Sequence, residues 1–263
     1  MPAMYASLKS PCGAHARNHY DLFIPDRAEH QALVVCFHGG WWNQGRGEDL
    51  RLFCLALAEA GYPSATVDFR SFADGARGGH DILEDARAGV TKALEEAAIQ
   101  GQDGSSVILL GSGSGSLIAL NLAAQLGEDP AMRVRAVIAC GVSPSLEHGD
   151  GLAPHVIKAV DQFAGAQRHA VSPMHLRPDA FPPLLLLHGD NDTDVPAKLA
   201  HKFHLRVVEA DEHSTLAVLS SLGHQFIENP SDRGGKAALE RILPFLQEHA
   251  GNPAKASPVA AAT

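Results

Sequence analysis

The sequence predicts an α/β fold in which a mostly parallel sheet is covered by helices on both faces. Short runs rich in Val, Ile and Leu, typical of buried strands, alternate with longer segments of helical periodicity. That alternation is typical of parallel sheets whose connections are helices. A chain of 263 residues that is 45% apolar can also bury a large core. The expected strands are Leu33–Phe37, Ser64–Phe69, Val107–Leu110, Val134–Ala139 and Leu184–Leu187, and the clearest helical pattern is DILEDARAGVTKALEEAA.

Composition limits the class of partner and the compartment. The net charge is −9, and no dense acidic or basic block is present, which argues against a nucleic-acid surface. The four cysteines are scattered without CxxC spacing, which suggests a reducing compartment. The charge favours a small-molecule partner. We find no signal peptide and no apolar run of membrane-spanning length, so we expect a cytoplasmic protein that does not act at a membrane.

The chain is expected to form one domain over residues 1–250. Residues 145–182 interrupt the strand and helix rhythm with weak periodicity and several Pro and Gly residues, so we interpret them as a small cap insertion over the site. Residues 251–263 are small and polar, which is typical of a disordered tail. The oligomeric state stays open, a homodimer included.

The carboxyl ends of the strands are where an α/β sheet binds its ligands. The first core strand is followed by HGGWW, in which Gly39, Gly40 and Trp41 could present backbone N–H groups to a developing oxyanion. An ordinary turn after a strand is the alternative interpretation.

Two later strand ends carry an acid and a histidine. The run LLLLHGDNDTDVP places Asp190, Asp192 and Asp194 in one loop, where a carboxylate could orient a histidine. The spacing lacks the Gly and distal Glu of an EF-hand loop, which disfavours calcium. His224 follows in SSLGHQF. Since the chain has 15 histidines, His224 is a candidate only because it comes after the other motifs in the chain and lies in a loop after an apolar run.

Together these motifs resemble the α/β-hydrolase fold, in particular the HGG-type carboxylesterases and arylformamidases. The resemblance covers YDLFIP, HGGWW, the segment LLGSGSGSLIAL, SPMHLRP before FPPLLLLHG, HGDNDTDVP and GHQF, in the chain order of elbow, acid and histidine. It implies an α/β-hydrolase fold with a cap, Asp192 as the catalytic acid, His224 as the catalytic histidine, and a second oxyanion donor from the N–H of Ser114.

The elbow departs from the family pattern G-x-S-x-G, in which a sharp turn exposes the nucleophilic serine. With Gly111 and Gly115 as the outer glycines, Gly113 occupies the nucleophile position and supplies no attacking atom. Shifting the frame by one makes Ser114 the nucleophile, and Ser112 is a more remote candidate. The strand and the following helical pattern favour Gly113. A flexible GSGSGS loop is disfavoured because a strand and an apolar helix flank it.

The resemblance implies hydrolysis of a carboxylic ester or a small amide through an acyl-enzyme, without a metal or a cofactor. Gly113 would disable that chemistry, either as a replacement of serine or as the natural residue. The alternatives are an active enzyme that uses Ser114 and a non-catalytic, receptor-like homologue. Trp42 and His175 are candidate pocket residues, with core packing and a structural loop histidine as the competing interpretations.

Overall fold

A computed structural model describes residues 3–127, 129 and 132–251 of the chain. Within these residues the strands are β1 Met4–Pro11, β2 His19–Pro25, β3 Leu33–Phe37, β4 Ser64–Val67, β5 Ser106–Ser112, β6 Arg133–Cys140, β7 Leu184–Gly189 and β8 Ser214–Leu219. The α-helices are α1 Arg51–Glu59, α2 Gly79–Ile99, α3 Ser114–Leu126, α4 Pro154–Ala164, α5 Arg168–Val171, α6 Ala197–Glu209 and α7 Arg233–His249. The predicted disordered tail lies outside the described residues from position 252 onward.

The described strands form one sheet in the order β1-β2-β4-β3-β5-β6-β7-β8. The pairs β1–β2 and β2–β4 are antiparallel, and the other five pairs are parallel. The parallel strands β3, β5 and β7 therefore end at the same edge of the sheet. That edge is where the motifs of the sequence analysis follow each strand.

Two apolar clusters cover the two faces of the sheet. Alternate residues of β3 contribute to opposite clusters, because successive side chains of a strand point to opposite faces. One cluster packs the strands against α2, α3, α4 and α6, and the other packs them against α1 and α7. The predicted α/β-hydrolase architecture, with a mostly parallel sheet and helices on both faces, is confirmed.

The segment at 145–182 contains more regular structure than its sequence indicated. It holds α4, α5 and short 3₁₀ turns, and α4 buries Val156, Ala159, Val160 and Phe163 on one face. That spacing is amphipathic, a pattern that the sequence analysis did not identify in this segment.

None of the four cysteines forms a disulfide. All four cysteines are free and buried, and burial raises the pKa of the Cys54 and Cys140 thiols well above its usual value. Among the helices of the described part of the chain, none combines the length and the apolar character that crossing a bilayer requires.

Candidate active site

The predicted elbow is a sharp turn between β5 and α3. Gly113 is the residue between the strand and the helix, with φ 51° and ψ −118°. Its N–H donates a hydrogen bond to the carbonyl oxygen of Cys140 at 2.8 Å, which ties the turn to the neighbouring strand β6. Non-glycine residues adopt this backbone region only at a cost.

The two outer glycines of the turn are required by close backbone contacts. A Cβ added at Gly111 would lie 2.3 Å from the backbone N of Ser116, and one at Gly115 would lie 2.2 Å from the carbonyl oxygen of Phe37. Both distances are too short for any side chain. The frame that takes Gly111 and Gly115 as the outer glycines therefore matches the steric pattern of the turn.

Gly113 differs from these two glycines in what surrounds it. A Cβ added there would lie 2.8 Å from Nε2 of His224, and its next neighbours are also atoms of that imidazole. The obstacle is a side chain that can move, not backbone. A serine at position 113 would thus fit once the His224 ring retreats by a few tenths of an ångström.

The two alternative serines have other partners. Ser114 begins α3, is almost fully buried, and its hydroxyl oxygen accepts a hydrogen bond from the Trp41 N–H at 3.0 Å. The Ser112 hydroxyl donates to Oε1 of Glu228 at 2.9 Å. These contacts give each hydroxyl a structural partner, and Ser114 as nucleophile stays an untested prediction.

The acid and the histidine come from the loops that follow β7 and β8, and the structure brings them together. Nδ1 of His224 donates to Oδ2 of Asp192 at 2.8 Å. This bond leaves Nε2 as the ring atom that faces Gly113. The imidazole therefore presents Nε2 to the place where a side chain at position 113 would begin.

The Asp192 carboxylate is buried and fully hydrogen bonded. Its Oδ1 accepts the N–H groups of Asp194 and Val195, each at 2.9 Å, and its Oδ2 also lies 3.1 Å from Nε2 of His188. Burial raises the pKa of Asp192, but the bonds from His188 and His224 outweigh it and hold that pKa well below its usual range. The acid stays ionised and can orient His224.

The glycine-rich loop after β3 lies against the elbow. Gly40 has φ 106°, and its carbonyl oxygen accepts the N–H groups of Asn43 and Gln44, each at 3.1 Å. Trp41 also has a positive φ, 54°, which is rare for a side chain of its size. Since the Trp41 N–H is hydrogen bonded to Ser114, the N–H groups of Gly39, Gly40 and Ser114 are the remaining candidates for an oxyanion hole.

A buried polar cluster supports this loop from below. His38 stacks on Phe69 with ring centroids 4.3 Å apart, and its Nδ1 donates to the carbonyl oxygen of Gly39 at 2.7 Å. Its Nε2 lies 3.3 Å from Oδ1 of Asp68, which also accepts a bond from Arg17 at 2.7 Å. The cluster restricts how the Gly39 peptide can turn.

A cavity of about 420 Å³ opens above these groups. It is lined by Gly39, Gly40, Trp41, Gln44, Ser112, Gly113, His155, Thr193, Asp194, His224 and Gln225. The Trp41 indole stacks on the His224 imidazole with centroids 4.7 Å apart. A larger cavity, about 720 Å³, lies between α2 and the cap, and none of the candidate site residues line it.

Two predicted pocket residues lie elsewhere. Trp42 is 2% exposed and stacks on Phe163 of the cap helix, so it belongs to the core. His175 lies near Glu147 on the cap and does not line the cavity. Neither residue supports a pocket role, because the turn of the HGGWW loop and the packing of the cap direct both side chains away.

The structure adds residues that the sequence analysis did not select. His188 lies four positions before Asp192 and contacts its carboxylate. His155 is the one residue of α4 among those lining the cavity, and its ring makes an edge contact with the Trp41 indole. The HGD motif was the available signal for His188, whereas no local pattern distinguished His155.

Comparisons with known proteins agree with this fold. Esterase 2 of Thermogutta terrifontis, in its sarin-phosphonylated and butyrate-bound structures, superposes on the chain with a TM-score of 0.75 at 21% identity. Each match covers 94% of this chain, and they cover 95% and 94% of the esterase chains. At this identity the likeness shows the fold alone.

Sequence relatives come from plants. A probable isoprenylcysteine alpha-carbonyl methylesterase of Oryza sativa subsp. japonica is 27% identical over 259 residues, which cover 89% of this chain and 62% of the relative. The isoprenylcysteine alpha-carbonyl methylesterase of Arabidopsis thaliana is 25% identical over 252 residues, which cover 86% of this chain and 58% of the relative. The chain thus spans less than two thirds of the length of these relatives.

A family match covers more than half of the chain. The sequence model described as serine aminopeptidase, S33, a hydrolase family, matches residues 28–180, which include the glycine-rich loop and the elbow but precede Asp192 and His224. With the α/β-hydrolase topology and the elbow between β5 and α3, this match makes the chain a member of the serine aminopeptidase S33 family of α/β hydrolases.

Proposed function

We propose that the site is organised for hydrolysis of carboxylic esters by acyl transfer, and that Gly113 leaves this chain able to bind such esters without forming an acyl-enzyme. The single observation that carries the proposal is the position of His224 Nε2, 2.8 Å from where the Cβ of a nucleophilic residue would attach. A base in this position would remove the proton from a hydroxyl group on residue 113.

The neighbouring groups support acyl transfer. With a serine at 113, His224 would take its proton as the hydroxyl attacks the ester carbonyl, and would return that proton to the leaving alcohol. Asp192 would stabilise the imidazolium through its 2.8 Å bond to Nδ1. The N–H groups of Gly39, Gly40 and Ser114 would donate to the oxyanion.

The choice of an ester rests on two further points. The plant relatives are named as methylesterases, and the solved neighbour is named as an esterase. The cavity of about 420 Å³ is lined by glycines and polar side chains around one indole, which suits a short acyl chain. An N-formyl aromatic amide, the substrate class of the arylformamidase resemblance, serves as a comparison substrate in the test.

The experiment compares the chain with its Gly113→Ser and Gly113→Ala variants on p-nitrophenyl acetate and butyrate and on an N-formyl aromatic amide. The Gly113→Ala variant is the matched control, since it adds the Cβ without the hydroxyl. We expect Gly113→Ser to raise ester kcat/KM by at least about 10³-fold, because a complete serine triad contributes far more than its oxyanion hole alone. Gly113→Ala should give no increase.

A fluorophosphonate probe and peptide mass mapping identify the nucleophile directly. We expect labelling at position 113 in the Gly113→Ser variant and none in the other two chains. Labelling of Ser114 in the unaltered chain would overturn the assignment of position 113. If the folded Gly113→Ser variant neither labels nor turns over, while the unaltered chain still binds ester, the receptor-like alternative replaces the hydrolase proposal.

A further inference from the structure

The cap carries a second group of reactive side chains, separate from the candidate active site. Glu147 lies in the loop after β6, His169 on α5, and His175 in the 3₁₀ turn Pro173–His175. One ligand atom from each residue lies within 4.8 Å of the other two. None of the three lines the cavity above Gly113.

The distances fit the ligands of one metal ion. Oε1 of Glu147 lies 3.4 Å from Nε2 of His175 and 3.8 Å from Nε2 of His169. Two ligands that each lie about 2.1 Å from a tetrahedral zinc ion are separated by roughly 3.4 Å. The three atoms are therefore spaced as neighbouring ligands around a common centre.

The Glu147 carboxylate provides an independent indication. Its Oε1 is buried and has no hydrogen-bond partner among the described residues, although two imidazole nitrogens lie nearby. The Glu147 side chain as a whole is 43% exposed, so the unpaired Oε1 carries only part of the cost of a buried carboxylate. A cation held between this oxygen and the imidazole nitrogens would remove that cost.

The two histidines lie side by side next to Glu147. Their rings stack with centroids 4.1 Å apart and planes 26° apart, so binding of a shared ion requires one imidazole to rotate until the in-plane lone pairs of both rings meet at the ion. The His169 side chain is 75% exposed, which leaves a path from solvent. Imidazole and carboxylate together suit first-row transition metals.

We propose that Glu147, His169 and His175 bind one divalent first-row transition-metal ion of the Zn²⁺ class, with solvent completing its coordination. The ion would join the loop that holds Glu147 to the segment that holds His169 and His175. Its role is structural, since it lies outside the cavity above Gly113, and it does not depend on the residue at position 113. The sequence analysis expected no metal, and it selected His175 only as a pocket residue.

The test uses the full chain after chelator treatment, titrated with ZnCl₂ by calorimetry and melted with and without Zn²⁺. The variants are Glu147→Gln, which preserves side-chain size, and His169→Ala. His201→Ala, an exposed histidine on α6, is the matched control. We expect one equivalent of Zn²⁺ to bind the unaltered chain and to raise its Tm, because a ligand that binds only the folded state stabilises it.

Binding should weaken at least 10-fold in both cluster variants and stay unchanged in His201→Ala. Circular dichroism verifies that each variant is folded, and the visible absorption of Co²⁺ reports the geometry of the bound ion as a second measurement. The proposal is overturned if the unaltered chain binds no stoichiometric Zn²⁺. It is equally overturned if both folded variants bind Zn²⁺ as tightly as the unaltered chain, in which case the cluster is an ion pair of Glu147 with protonated histidines.

Discussion

The two sides of the candidate site differ in completeness. On one side, Asp192 accepts two backbone N–H groups and contacts two histidines, one of which is His224 at 2.8 Å. On the other side, the elbow has the backbone of a nucleophile turn, but Gly113 offers no side chain. The groups that orient the His224 imidazole are thus present, whereas the side chain that this imidazole would activate is missing.

This difference separates binding from bond formation. In the proposed function, the glycine-rich loop after β3 and the His224–Asp192 pair would contact a carbonyl compound through hydrogen bonds, whereas an acyl-enzyme would require an atom at position 113. The three glycines of the elbow differ in their surroundings. Gly111 and Gly115 are enclosed by backbone atoms, whereas Gly113 faces the His224 ring, which can move. Of these three positions, only position 113 could accommodate a side chain.

The largest effect is expected when the Asp192–His224 pair is disrupted in a Gly113→Ser chain. Changing His224→Ala there should lower kcat/KM by about 10⁶-fold, and Asp192→Asn by about 10⁴-fold, since a triad acts as a unit. Hydrolysis of p-nitrophenyl acetate measures both, with His201→Ala as the control. Activity that survives His224→Ala would mean that position 113 does not use this histidine as its base.

A smaller effect distinguishes the glycines of the elbow. Gly115→Ala should lower the free energy of unfolding by about 3 kcal/mol, because its Cβ would lie 2.2 Å from the Phe37 carbonyl oxygen. Gly113→Ala should cost less, about 1–2 kcal/mol for a sparsely populated backbone conformation, because the His224 ring can move aside. Urea unfolding measures both values, and equal losses would contradict the proposed difference between these positions.

The smallest effect concerns the ionisation of Asp192. Since its pKa in the folded protein lies below the ordinary value of 3.8, the ionised carboxylate stabilises the fold above that pH. This contribution is lost as the pH falls from about 4 toward the lower folded pKa, at up to about 1.4 kcal/mol per pH unit.

Urea unfolding between pH 5 and pH 3 provides the measurement. The unaltered chain should lose stability more steeply than Asp192→Asn, which has no carboxylate at this position. Other acidic groups are common to both chains, so their contribution cancels in the difference. Parallel pH profiles for the two chains would contradict the interaction of Asp192 with His188 and His224.

The central strands could be predicted because each is a continuous apolar run, as in LVVCF of β3. The edge strand β1 could not, because its side chains lie at a surface and follow no apolar run. In the cap, α4 was missed since the Pro and Gly residues around it obscured an amphipathic stretch of 11 residues. Local composition thus identifies buried elements better than peripheral ones.

Within the site, the order of motifs along the chain was sufficient to select Asp192 and His224, which the fold brings to hydrogen-bond distance. The side chains of Trp41 and Trp42 point in different directions, which could not be predicted. The difference depends on two successive positive φ angles, 54° and 58°. One indole lies on His224 and the other on Phe163. The roles of these site residues stay predictions for the experiments above.

The edge position of β8 has a consequence for the persistence of the site. Among the described strands β8 pairs only with β7, and the loop that follows it carries His224. An edge strand can detach in a local opening that costs less free energy than global unfolding, and amide hydrogen exchange detects such openings. Each opening of β8 would separate His224 from Asp192 while the elbow, on the central strand β5, keeps its shape. We therefore expect the lifetime of the assembled pair to follow the local stability of β8 and not the global stability of the core.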